Sequence, residues 1–237
     1  MAQKKTVALV PAFNEETRIS SVLKVITASS LVDETIVLDD GSSDNTSHEA
    51  EKFPVRVLRW DENRGKGAVL QEGINKTPDA EYYLFLDADL LNFKAEHIER
   101  LLSPLYGKNP PAMTIGVFHA GKNERVNLAQ RYFSILNGQR ALGRGFVDIL
   151  PDLSWSRFGV EILLTKYAGL AEKIISYPEL EGISHVTKEE KLGFWGGANY
   201  RLQMYNECLY ALFNYKEMIK LNPGKVPEEI LRKLGKP

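Results

Sequence analysis

Tyr82-Tyr83-Leu84-Phe85-Leu86-Asp87-Ala88-Asp89 is an apolar run that ends in Asp-x-Asp. The run reads as a buried strand. Strand side chains alternate with period two, so both aspartates leave its end on one side of the chain. Two hard oxygen donors there suit Mg²⁺ or Mn²⁺, ions that complete their shell with substrate phosphates and water. An acidic pair after a strand is also an ordinary solvated turn, so its weight depends on what surrounds it.

Upstream, the same pattern repeats. Thr6–Val10 reads as a strand, followed by the loop Pro11–Glu16 and a helix with Ile19, Val22, Leu23 and Ile26 on one face, capped by Asn14 or Thr17. Glu34–Leu38 is a second strand with the exit loop Asp39–Asp44, and Asp44 or Thr46 starts the next helix. Val55–Leu58 is a third strand, and Gly65-Lys66-Gly67 opens a helix through Asn75. Strands alternating with helices imply an α/β fold around a mostly parallel sheet covered on both faces. Downstream, residues 113–118 and 174–177 read as strands, 127–142 as a helix, and 196–220 as a long helix rich in Tyr, Phe and Met.

Composition sets the outer limits. The 237 residues carry 43% hydrophobic and 26% charged residues, ordinary for a chain with a real core. A net charge of −1 gives no general argument for nucleic-acid binding. The single cysteine, Cys208, excludes an internal disulfide and a cysteine-based zinc site, and fits a cytoplasmic protein. No apolar run approaches the roughly 18 residues of a spanning helix, so the expectation is a protein that is soluble or lies on a membrane surface.

Parallel sheets bind ligands beyond the carboxyl ends of their strands. Three polar loops fall there: Pro11–Glu16, Asp39–Asp44 and Asp87–Asp89. Asp39, Asp40 and Glu15 are candidates to accept from a base N–H or from ribose hydroxyls, while Asp44 reads better as a turn and cap residue. Gly65-Lys66-Gly67 adds a phosphate element, because a helix N-terminus offers free N–H groups, glycine permits close approach and Lys66 adds a point charge.

Four ordered motifs now stand within about one hundred residues: Val10-Pro11-Ala12-Phe13-Asn14-Glu15-Glu16, Asp39-Asp40-Gly41-Ser42-Ser43-Asp44-Asn45-Thr46, Asn63-Arg64-Gly65-Lys66-Gly67 and Asp87-Ala88-Asp89. Together they resemble the nucleotide-binding half of a GT-A (Rossmann-like) glycosyltransferase of family 2. The Gly-Lys-Gly variant is similar to polyprenyl-phosphate (dolichyl-phosphate) sugar synthases and to glucosyl-phosphoglycerate synthases. The resemblance implies a nucleotide-binding half over 5–105 and an acceptor half over 106–195, in a domain spanning 1–195, with 196–237 as a C-terminal helical extension. It implies donor contacts from Pro11, Phe13, Glu15, Asp39, Asp40, Lys66, Asp87 and Ala88, and an Mn²⁺ or Mg²⁺ ion on Asp89 and Asp87.

A weaker likeness covers residues 135–190. Asn137-Gly138-Gln139-Arg140-Ala141 resembles an acceptor-side segment, and Arg157-Phe158-Gly159-Val160-Glu161 one where a glutamate meets the donor sugar. By this likeness Asp89, Glu161 and Arg140 are the catalytic candidates, Gln139, Arg140, Arg144 and Arg157 bind the acceptor, and His185 is a third metal ligand. Arg140 and Arg144 share a face if their segment is helical.

The implied reaction is transfer of a hexose from a UDP- or GDP-sugar. No general-base motif stands out, which favours a phosphate acceptor, since a phosphate monoester needs no base. The acceptor is then a polyprenyl phosphate or other membrane lipid, or alternatively a small phosphorylated molecule such as phosphoglycerate, with retention. Phe194, Trp195, Tyr200, Met204, Tyr205, Tyr210, Phe213 and Tyr215, followed by Lys216 and Lys220, suit either a peripheral membrane contact or a core or homodimer helix. A nucleotidyltransferase is disfavoured because the first loop lacks the glycines needed to wrap a triphosphate, and a non-catalytic binding module is disfavoured by the intact Asp89.

Overall fold

The computed structural model describes residues 4–119, 134–185 and 188–235, and of residues 119, 134, 185 and 188–201 the backbone alone. The chain runs β1 (Thr6–Ala12), α1 (Ile19–Thr27), β2 (Glu34–Asp39), α2 (Thr46–Ala50), β3 (Arg56–Arg59), α3 (Lys66–Asn75), β4 (Tyr82–Phe85), β5 (Leu90–Leu91), α4 (Ala95–Leu102), β6 (Met113–Ile115) and β7 (Val117–His119). Then follow β8 (Arg140–Gly143), α5 (Arg144–Val147), a 3₁₀ turn (Ser154–Gly159), α6 (Val160–Leu170), β9 (Ile175–Ser176), β10 (Glu179–Glu181), β11 (Ser184–His185), α7 (Lys188–Leu221) and α8 (Glu228–Lys233).

Seven strands form the central sheet in the order β3-β2-β1-β4-β8-β6-β9. All its neighbours run parallel except β8, which is antiparallel to both β4 and β6. Two small pairs flank it, β7 with β10 and β5 with β11. Period-two alternation along β1 explains the layering. Val7 and Leu9 join Ile36, Leu38, Val69 and Leu70 in one apolar cluster. Ala8 and Val10 join Ile19, Val22, Leu23 and Ile26 in the other. Burial on both faces is why the strands read as continuous apolar runs.

The helix expected over 127–142 is corrected at its end. Residues 120–133 lie outside the description, Ser134–Leu136 is a single 3₁₀ turn, and Arg140–Gly143 is strand β8. Pairing with β4 and β6 overrides the local pattern: Ala141 and Leu142 are wholly buried between those strands. The strand expected at 113–118 breaks at Gly116, where a Cβ would meet the Leu180 side chain at 2.4 Å. Neither Asn14 nor Thr17 caps α1; the Glu15 carbonyl accepts from the N–H groups of Arg18 and Ile19 instead, at 3.0 and 2.9 Å.

α7 runs straight through residues 195 and 196. Ile219, Val226, Ile230 and Leu234 belong to the same cluster as Val7 and Leu9, so the C-terminal helices share the core of the sheet. Among the described residues no helix is long and apolar enough to cross a membrane.

Candidate active site

Parallel pairing sets Ala12 beside Asp39 and Leu9 beside Phe85, so the loops after β1, β2 and β4 emerge together at one edge of the sheet. The first two loops are knitted to each other. Asn14, at φ 57, donates its N–H to Ser42 Oγ (2.9 Å) and accepts from the Ser43 N–H on Oδ1 (2.8 Å). The Asn45 N–H donates to Glu16 Oε2 at 2.9 Å, while the Glu16 N–H donates to Asp44 Oδ2 at 3.2 Å. Asp44 Oδ1 also accepts from the Thr46 N–H at 3.0 Å, the turn role read from its spacing, while Asn45 stands at the helix cap.

Asp39 and Asp40 are turned to this scaffold. Asp39 is wholly buried, and its carboxylate accepts from the Ser42 N–H (2.9 Å), Arg59 Nη1 (2.8 Å) and the Ser47 hydroxyl. Asp40 accepts from the N–H groups of Arg64 (2.6 Å) and Gly65 (2.8 Å), one on each oxygen. Burial pushes the Asp40 pKa up, against those two hydrogen bonds. Asp40 thereby fixes the loop that opens α3. Both carboxylates thus hold the loops in place through donors up to 25 positions away.

Gly65 has φ +90, and a Cβ there would meet Arg157 Cγ at 2.8 Å, so only glycine fits this entry to the helix. Lys66 follows and points into the site. Its ammonium donates to Asp87 Oδ1 (2.6 Å) and Glu161 Oε1 (2.5 Å). The Gln139 amide donates to Asp87 Oδ2 at 2.8 Å. Backbone closes over the cluster at Gly138, where a Cβ would meet both Asp87 oxygens within 2.6 Å and Lys66 Nζ at 2.7 Å. Burial works against the Lys66 charge, but Asp87 and Glu161 more than offset it, and its pKa is raised. Lys66 therefore stays charged throughout the neutral range. Asp89, two residues on, is 8% exposed.

The other expected residues divide sharply. Pro11 and Phe13 are half-buried at the mouth of the first loop. Glu15 is 6% exposed, its N–H bonded to Thr46 Oγ1 at 2.8 Å. Ala88 is buried between the aspartates. Arg140 faces inward from β8: Nε donates to Asn137 O (2.8 Å), Nη1 to Thr165 Oγ1 (2.9 Å) and Nη2 to Ile135 O (2.8 Å). Burial pushes its pKa down to about 10, with Glu161, Tyr177 and Asp87 acting the other way. At 1% exposure this guanidinium anchors the segment carrying Gly138 and Gln139 rather than meeting an acceptor.

Arg144 is corrected more strongly. Antiparallel pairing sets Arg140 beside Phe85 but Gly143 beside Tyr82, so Arg144 falls at the opposite edge of the sheet, bonded to Asp148 Oδ1 (2.8 Å) and to the Pro78 carbonyl. Arg144→Ala is accordingly expected to change kcat and KM by less than about twofold, in the range of surface substitutions away from a site; steady-state kinetics check this. Arg157, at φ 46, lies over the Gly65 loop, with Nε on Glu207 Oε1 (2.9 Å) and Nη2 on Asn63 Oδ1 (3.1 Å). Sequence reasoning missed Glu207, which sits 50 positions from its partner, where no local pattern could signal it. The His185 side chain lies outside the described residues; its backbone pairs with Leu90, the neighbour of Asp89.

Known proteins share this arrangement of chain. Dolichyl-phosphate beta-glucosyltransferase of Mus musculus is 32% identical over 259 aligned positions, covering 90% of this chain and 76% of that protein. Glucosyl-3-phosphoglycerate synthase of Mycolicibacterium smegmatis is 35% identical over 195 positions; this covers 75% of the chain but only 60% of the relative's length. The crystal structure of the Mycobacterium tuberculosis synthase with Mn²⁺, UDP and glucosyl-3-phosphoglycerate matches with a TM-score of 0.73 and 25% identity, over 90% of this chain and 80% of that one. Residues 7–160 match the family described as Glycosyl transferase family 2, and the chain belongs to that family.

Proposed function

We propose that this chain is a metal-dependent glycosyltransferase that moves a hexose from a nucleoside-diphosphate sugar to a phosphorylated acceptor. The observation that carries the reading is the Asp87–Lys66–Glu161 cluster beside Asp89, at the ligand-binding edge of the sheet. Asp87 and Glu161 face Lys66 and act on the buried Arg140, and Asp89 adds a third carboxylate two residues from Asp87. A diphosphate entering such a place is repelled unless a cation accompanies it.

The residues fit a hard divalent ion. Asp89 supplies a carboxylate, and the pairing of His185 with Leu90 brings an imidazole-bearing residue to the same end of β4. Asp89 and His185 would hold Mn²⁺ or Mg²⁺. Asp87, expected as a further ligand, instead has both oxygens on Lys66 and Gln139 and serves to aim the lysine. When bound, the ion supplies Lewis-acid stabilisation of the charge that develops on the departing diphosphate.

The chain's own groups do the remainder. Lys66 offers a second positive charge to the leaving diphosphate, and the N-terminal end of the α3 dipole adds to it. Glu161, at the first turn of α6 and 6% exposed, faces the place where the sugar would lie and exchanges its contact with Lys66 for one with sugar hydroxyls. Gly138 and Gln139 close that space on the acceptor side. In this reading Pro11 and Phe13, both half-buried, line the nucleoside pocket.

The acceptor is a polyprenyl phosphate or a small phosphate ester. The lipid form is favoured by α7, which exposes Leu202 (61%), Tyr205 (49%), Leu209 (50%) and Phe213 (77%). These fall at helical spacing on one face, as expected of a helix resting on a membrane or on a second copy. Purified protein given labelled UDP-glucose or GDP-mannose with Mn²⁺, and either a polyprenyl phosphate in vesicles or 3-phosphoglycerate, tests the reading. Label should pass to one of the two acceptors. Passage to neither, from folded protein that binds donor, would defeat the acceptor class.

A further inference from the structure

Arg157 has an uncommon backbone beside the site. It stands at φ 46 and ψ −119 inside the 3₁₀ turn that leads into α6. L side chains rarely adopt that conformation, and it persists where the surroundings hold it. Here the holder is α7. Glu207 accepts from Arg157 Nε on Oε1 at 2.9 Å and from the Phe158 N–H on Oε2 at 3.3 Å. One carboxylate therefore grips the side chain and the following peptide, on either side of the bond that ψ describes. The Cys208 thiol donates to the Phe158 carbonyl at 3.4 Å, and a Cβ on Gly159 would run into Ala211. Gln203 Nε2, one turn earlier, donates to Glu207 Oε1 at 2.9 Å and braces it. Residues 203, 207 and 211 recur every four and form one stripe of the helix.

Arg157 passes this hold on to the loop between β3 and α3. Its Nη2 donates to Asn63 Oδ1 at 3.1 Å and its Nη1 to the Arg64 carbonyl at 3.4 Å. The Asn63 amide is used at both ends, because its Nδ2 donates to the Asp40 carbonyl at 3.3 Å. A path of side-chain contacts thus runs from Glu207 through Arg157 and Asn63 to Asp40, from the C-terminal helix to the exit loop of β2. The Arg157 stem also packs against Gly65, the residue before Lys66. Burial raises the Asp40 pKa, and the Arg157 charge is among the influences that lower it.

We propose that Glu207 is a positioning residue of the donor site: it holds Arg157 against the 63–65 loop, so that α7, beyond residue 195, helps to set the loop that delivers Lys66. The inference rests on the reading of the Lys66–Asp87–Glu161 cluster as the donor site. The loop has a second hold, since Asp40 accepts from the N–H groups of Arg64 and Gly65. Loss of the Glu207 charge leaves that hold intact, so the loop loosens on its Asn63 side and does not unfold. Among the described residues the Arg157 guanidinium pairs with one carboxylate, that of Glu207, and nothing replaces it. The two side chains are 35% and 17% exposed, so water competes with the pair less than with a surface ion pair.

The test uses the full chain as wild type, Glu207→Gln, Arg157→Gly and the double variant. Glutamine keeps the shape of Glu207, but its one carbonyl oxygen cannot serve both donors with a full charge. Glycine accepts φ 46 without help and removes the guanidinium. Calorimetry with UDP and with GDP, each with Mn²⁺, is run beside amide hydrogen exchange. In Glu207→Gln the nucleotide that the wild type binds is expected to bind about tenfold more weakly, the scale of one charge-assisted hydrogen bond. Exchange across 61–66 should quicken about fivefold, while α4, remote from the tie, keeps its wild-type protection. In the Arg157→Gly background the same Glu207 change should alter binding and exchange less than about twofold, because Glu207 then has no guanidinium to hold. Wild-type exchange or affinity in Glu207→Gln, an equal loss of protection in α4, or effects that add in full in the double variant would each overturn the proposal. Should Glu207→Gln fold poorly, Arg157→Lys takes its place: one ammonium cannot span Glu207 and Asn63 as the guanidinium does, and wild-type exchange across 61–66 in that variant would overturn it. Binding of neither nucleotide by folded wild type would defeat the donor reading, and the exchange cycle then decides the Glu207 tie on its own.

Discussion

Asp89→Ala is expected to lower kcat at least about 100-fold, the scale of removing one group that stabilises transition-state charge. The residue lies in the loop after β4, outside both apolar clusters, so its loss opens no core cavity. Thermal unfolding should therefore stay close to wild type while turnover collapses, and the residual rate should no longer respond to Mn²⁺. Undiminished turnover in the variant with EDTA present would refute the role given to Asp89.

Lys66→Ala has the second large effect, and it reaches stability as well as activity. The ammonium is the shared partner of Asp87 and Glu161, whose side chains are 21% and 8% exposed. Removing it leaves two carboxylates facing each other with little water to separate them. Breaking a buried pair by deleting one partner costs about 3–5 kcal/mol, and the partial exposure of Asp87 puts the expectation at the lower end, about 3 kcal/mol. The pH dependence has a definite sign. In the wild type Lys66 has a raised pKa, so its contribution is present below the ordinary lysine value and is lost only in strong alkali. In the variant the facing carboxylates raise one another's affinity for a proton, so it should be less destabilised at pH 5 than at pH 8. Denaturant unfolding at the two pH values measures this. Lys66→Ala should also weaken donor binding; a wild-type donor affinity would return the lysine to a purely structural role.

The first half of the fold was legible because its signals are local. Strand and helix periods alternate cleanly up to Asp87, the three exit loops each follow an apolar run, and Asp44 stands where a turn needs a short acceptor. Residues 140–143 were not legible in the same way. Their apolar spacing tolerates a helix, and only insertion between β4 and β6 makes them a strand, turning Arg140 inward and carrying Arg144 to the far edge. Asp39 and Asp40 taught a related lesson. Their position at a strand end suggested ligand contacts; the fold adds Arg59 and the Arg64–Gly65 backbone as partners, and no local pattern encodes partners 20 to 25 positions away. Lys66, Asp87 and Glu161 were each singled out by motif, while their direct contact, spanning 95 positions between Lys66 and Glu161, came only with the fold.

The central claim is that a divalent ion on the Asp89 side lets a nucleoside-diphosphate sugar enter a site lined by the carboxylates of Asp87, Asp89 and Glu161. Isothermal calorimetry of UDP-glucose and GDP-mannose, each with Mn²⁺ and with EDTA, tests it most directly. The account predicts that one of the two donors binds with Mn²⁺, that its binding is lost in EDTA, and that Asp89→Ala abolishes the difference. Equal binding of that donor in Mn²⁺ and in EDTA, or binding of neither donor to well-folded protein, would contradict it.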